Sequence, residues 1–253
     1  MQTLKSIAAD HEDCAEAHLV FDLINGRQTP LGVVQTISQK GDASDDDFSH
    51  LGKLQNLMLH LATDAPSTHA SLVALLVAFR QCREKTIGDG IWGTFGMNEG
   101  DLHSSLMYDP RSASDYINLN GFEAQLWRAL GNVVEEYILG HPLRNFAPCI
   151  ENATPAEEHQ TVDVEIAAAC LWMIHGSERL WRLCAAGDGF SDGKDWRGDL
   201  WTGEMGYSVE RWGLWSRRFK NIADGEVEGV GRETRELAMS ALSNMAAAKA
   251  YEG

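Results

Sequence analysis

The chain has 253 residues, 44% of them hydrophobic and 23% charged, a balance that suits a folded globular protein and excludes a disordered one. Its formal net charge of −16 excludes nucleic acid or an anionic membrane surface as the main partner, because both require a basic footprint. No apolar run approaches the roughly 20 residues of a membrane-spanning helix, so no membrane partner is expected.

The opening MQTLKSIAADHEDC has no basic region followed by an apolar one, so no secretory signal is expected. Five cysteines, widely spaced and without a C-x-x-C, suit reduced thiols in a cytoplasmic protein rather than a disulfide framework.

Helical periodicity dominates the chain, and no stretch alternates as a strand would. Cys14, Ala17, Phe21 and Ile24 recur at helical spacing, and Gly26 offers a stop. Thr29-Pro30 predicts an N-cap with proline at the first helical position, and Leu31, Val34 and Ile37 face inward as far as Gly41. The acidic run DASDDDFSH reads as a solvated loop before the next helix, which carries Leu51, Leu54, Leu57, Met58 and Leu61. Pro66-Ser67 breaks the chain, and Leu72, Leu75, Leu76 and Phe79 carry another helix.

From about Thr86 to Asn120 the pattern fails among glycines, Asp109-Pro110 and scattered aromatics, which predicts either a functional lid or a pair of short helices. A helix is expected from Gly121 to Gly140, then a connector marked by His141-Pro142 and Ala147-Pro148.

The stretch from Thr161 to Cys184 organises the rest. Between Ile166 and Ile174 every residue is apolar, so at helical pitch it offers water no polar face and belongs inside a protein. After a glycine- and aspartate-rich loop, Ser208 predicts the N-cap of a helix to Ile222, with Val209, Trp212, Trp215 and Phe219 on its apolar side. A last helix is expected from about Arg232 to Tyr251. The expected fold is all-α, a single-domain bundle of eight or nine helices packed around the buried helix 161–184.

One stripe of that helix carries chemistry. Glu165, Ala168, Trp172, His175, Arg179 and Arg182 fall within one sector, which either faces water or lines a cavity. In the second case Trp172 is an aromatic floor, Arg179 takes an anion, and His175 and Glu165 move protons, as suits a small acidic or polyketide-like ligand. Trp92, Phe95 and Tyr116 of the lid-like segment would add to the binding wall. Arg211 and Trp215 are further candidates, although the aromatic spacing of their helix is what any packed helix needs.

Other constellations are weaker. His11, Cys14 and His18 could share a helical face, but no fourth ligand is identifiable, so no metal is expected there. Asp188–Asp199 imitates a calcium loop but fails at the third, eighth and twelfth positions. With no P-loop, G-x-G-x-x-G, G-x-S-x-G or H-E-x-x-H, no cofactor is expected.

Several of these stretches together resemble a known fungal family, domain of unknown function 3632 (DUF3632). They are PSTHASLVALLVAFR at Pro66–Arg80, the Trp92/Phe95-Gly96 region, YINLNGFEAQL at Tyr116–Leu126, DVEIAAACLWMIHGSERLW, and the tail SVERWGLWSRRF…ETRELAMSAL. The family pattern has a tryptophan where this chain has Tyr116, so no indole role carries over to that position. The resemblance implies an all-helical intracellular protein, with some relatives in specialised-metabolite gene neighbourhoods, and it supplies no catalytic residues. The expected function is a small-molecule protein of that metabolism, a cofactor-independent cyclase, isomerase or lyase; the alternative is a non-catalytic helical interaction module.

Overall fold

The computed structural model describes residues 4–41, 48–81, 95, 98–130, 142–152, 160–187 and 197–250. Among them every regular element is helical. The helices bounded at both ends are α1 (Leu4–Asp10), α2 (Ala17–Ile24), α3 (Pro30–Gly41), α4 (Phe48–Asp64), α5 (His69–Gln81), α6 (Ala113–Leu130), α7 (Pro142–Glu151), α8 (Val162–Ala186), α9 (Val209–Ala223) and α10 (Arg232–Ala250). With a further helical stretch over 98–107, the described residues hold more helices than the eight or nine expected.

The surplus comes from two places. Within the segment expected to be irregular, 98–107 is helical, and Asp109 caps a short turn at Pro110–Ser112 by accepting from the Arg111 backbone N–H at 3.0 Å. That turn leads directly into α6, which starts eight residues before the expected Gly121. The supposed connector around Ala147-Pro148 is α7: Pro142 occupies its first turn, and Leu143, Phe146, Ala147 and Ile150 are buried along one face. Pro148 removes one N–H inside that helix, and the buried apolar face outweighs the loss.

The chain divides into two compact units, one of residues 1–104 and 125–139, the other of 105–124 and 140–253. In the first, α3 packs with α5, α2 with both of them, and α4 with α1 and α5. Thr29 caps α3 as expected, its hydroxyl accepting from the Gly32 N–H at 3.1 Å. His69, which opens α5, is buried and bonded at both ring nitrogens, to the Ala62 carbonyl at 2.8 Å and to the Gln125 amide at 3.3 Å.

In the second unit α8 packs against α7, α9 and α10, and α9 packs against α10. The middle of α8 is as apolar in its surroundings as in its sequence. Ile166 through Cys170, with Trp172 and Met173, are all buried. Gly187 ends the helix in the left-handed conformation at φ 65°, its N–H returning to the Cys184 carbonyl. The cap expected for α9 is present too, Ser208 Oγ accepting from the Arg211 N–H at 3.0 Å.

Candidate site at the start of the long helix

Three helices of the second unit bring polar side chains into its interior at helical spacing. α6 supplies Tyr116, Asn120 and Glu123; α7 supplies Asn145 and Cys149; α8 supplies Glu165 and, two turns on, Trp172. All but Cys149 are buried to 5% exposure or less. Trp172 donates its indole N–H to Asn120 Oδ1 at 2.9 Å, and Asn120 donates to the Tyr116 carbonyl at 2.9 Å. Asn145 donates to Glu123 Oε2 at 2.8 Å, and the Cys149 thiol donates to the Asn145 carbonyl at 3.2 Å. The Tyr116 hydroxyl lies 3.8 Å from Cys149 Sγ.

The electrostatics separate these groups. Burial pushes the Glu165 carboxyl up to about 7. It does so although Glu165 sits in the first turn of α8, where the helix dipole favours a carboxylate by only about 0.3–1 kcal/mol, so desolvation wins. Burial, then the charge of Glu165, pushes the Cys149 thiol up to about 12. Tyr116 is raised well above the usual phenol value, first by burial and then by Cys149. Tyr116 and Cys149 therefore keep their protons at neutral pH, while Glu165 exchanges its own there. Such a cluster suits proton transfer and not attack by a thiolate.

The other sequence candidates fall as follows. His175 and Arg179 are half-buried, and burial lowers the Arg179 guanidinium, opposed by Tyr207. α8 is continuous, so the ten residues between Glu165 and His175 correspond to roughly 15 Å of axial rise. The expected histidine–glutamate pair thus stands too far apart along the helix for both groups to reach one reacting atom. Trp172 is wholly buried, its N–H engaged by Asn120. Phe95 is buried in the first unit, and Trp92 lies outside the described residues.

Arg211 and Trp215 belong to something else. Arg211 Nε and a terminal guanidinium nitrogen donate to the two oxygens of Glu151 at 2.6 and 2.9 Å, and the Trp215 indole donates to Glu151 Oε1 at 2.6 Å. The Gly198 N–H donates to Glu151 Oε2 at 3.1 Å, and Arg211 also reaches the Gly206 carbonyl. Glu151 and Arg211 are at most 1% exposed, so this is an interior ion pair rather than a ligand clamp. A β-carbon at Gly198 would stand 2.5 Å from the Glu151 carbonyl carbon, which is why the loop passes here on a glycine.

Sequence reasoning missed Tyr116–Asn120–Glu123 as a set and missed Asn145 and Glu151. Their one signal is polar residues recurring at three- and four-residue intervals on faces otherwise apolar. The imagined zinc face also dissolves: α1 ends at Asp10 and α2 starts at Ala17, so His11, Cys14 and His18 share no helix. Of the calcium-like loop, 188–196 lie outside the described residues, and Gly198 and Asp199 dock on Glu151 and Asn152. No group of three or more metal-ligating side chains is found among the described residues.

No curated protein and no solved structure matches the chain at a significant level. The model of the family described as "Protein of unknown function (DUF3632)" matches residues 56–219, more than half of the chain, and the chain belongs to that family.

Proposed function

We propose that this protein is an intracellular, cofactor-independent enzyme of fungal specialised metabolism, of the cyclase, isomerase or lyase type, in which Glu165 carries the proton. The observation that supports it most is a buried carboxyl brought to about 7 beside two groups that stay protonated. A general acid–base works best when its titration lies near the operating pH. Tyr116 and Cys149 both feel the charge of Glu165, and Asn120 links Tyr116 to the Trp172 indole two turns along α8. His175 and Arg179, nearly three and nearly four turns further along α8, would orient an acidic substrate rather than share the proton. No described helix is long and apolar enough to cross a membrane.

The test is untargeted metabolite profiling of a strain lacking the gene, complemented with the wild-type chain or with Glu165→Gln. A metabolite that changes on deletion should be restored by the wild type and not by the variant, with the variant's fold checked by circular dichroism. Full restoration by Glu165→Gln removes the carboxyl from the chemistry.

A further inference from the structure

The first unit holds a cleft of about 430 Å³ that the proposed chemistry does not use. It lies between α4 and the helical stretch 98–107, with His11 from beyond the end of α1 at its edge. His11 Nε2 is 3.0 Å from His60 Nδ1, and His60 Nε2 is 3.4 Å from the Asp64 carboxylate. That carboxylate favours a proton on His60 Nε2, which leaves His60 Nδ1 as an acceptor for the His11 Nε2–H. With both rings neutral in this arrangement, the remaining nitrogen, His11 Nδ1, is a lone-pair acceptor. Burial and the neighbouring His60 hold His11 below the ordinary imidazole value, against the opposing pull of Asp13 and Asp10. Asp13 in turn is paired with Lys53 at 2.8 Å, which keeps that cation on Asp13.

The rest of the lining has the same polarity. Asp101 contributes an exposed carboxylate. Asn98 already donates from its amide to Gln55 Oε1 at 3.0 Å, and the Thr63 hydroxyl proton is directed to the backbone carbonyls of His60 and Leu59. The Asn56 amide is the chief donor left, and no lysine or arginine is among the described lining residues. Leu59 and Leu102 add apolar surface. A cleft rich in acceptors, bearing a carboxylate and carried by an acidic chain, selects a cationic donor with a short hydrocarbon body.

We propose that this cleft binds a small alkylammonium ligand, its N–H groups donating to His11 Nδ1 and Asp101 and its carbon chain lying against Leu59 and Leu102. The site is built from the first unit alone and is independent of the role given to Glu165. Calorimetric titration with putrescine tests it, with butanediol as the uncharged twin. Putrescine should show one saturable site at about pH 7.5, weakened at least about tenfold once acidification protonates His11 Nδ1 and removes that acceptor. Asp101→Asn and His11→Gln should each weaken it about tenfold, and the imidazole NMR signals of His11 and His60 should move on binding. Asp101 is exposed, so its replacement leaves folding intact. Equal binding of butanediol, unchanged affinity in Asp101→Asn, or only weak non-saturating uptake by the acidic surface would each overturn the proposal.

Discussion

Two buried glutamates of the second unit show how surroundings decide what a carboxyl can do. Glu151 receives four N–H donors, two from Arg211, one from Trp215 and one from the Gly198 backbone. Its charge is neutralised within the interior, and it ties the end of α7 to the 198–206 loop and to α9. Glu165 is similarly buried, and there desolvation raises the carboxyl to about 7, so it exchanges its proton near neutrality. The first arrangement holds structure and the second suits proton exchange.

The contrast can be broken at Glu151 first. Glu151→Gln leaves the Arg211 guanidinium buried without its counter-charge, and urea unfolding should show a loss of about 3–5 kcal/mol. A loss below about 1 kcal/mol would mean that water or another group replaces the carboxylate. Glu165→Gln should act in the opposite direction. A carboxyl raised from 4.5 to about 7 binds its proton more tightly when folded, so wild-type stability is fully present below about 4.5 and declines as pH rises to about 7. The decline amounts to roughly 3 kcal/mol, and the variant should lack this component, so the difference in unfolding free energy between wild type and variant should change by about that much across the window. The smallest effect sharpens the picture: Trp215→Phe removes one donor to Glu151 while keeping most of the aromatic packing on Phe146, at ring centroids 4.7 Å apart. It should cost about 2 kcal/mol in the same unfolding assay.

What the sequence made legible is what local periodicity determines. The long helix expected at 161–184 is α8 at Val162–Ala186, and the caps at Thr29 and Ser208 form with the side chains expected. α7 was hidden because two prolines and two polar residues masked a buried face that only packing reveals. Arg211 stands among the ligand candidates in the sequence because its partner lies 60 residues earlier in the chain, a separation that no spacing rule spans. Glu165 stands out in the sequence by its stripe, but the groups beside it, Tyr116 and Cys149, come from two other helices. Helical registry predicts neighbours along one helix, and a site assembled from three requires coordinates.

α10 packs along α8 with Ala238, Ala241, Met245 and Ala248 buried, and Lys249 lies 5.8 Å from the centre of the Trp181 ring. Yet the family match ends at residue 219, before α10 begins. A fragment trimmed to the matched boundaries would strip this cover and leave an oily flank of α8 bare to solvent, inviting self-association. The span by which relatives are recognised is therefore shorter than the span that must be expressed to obtain a well-behaved preparation.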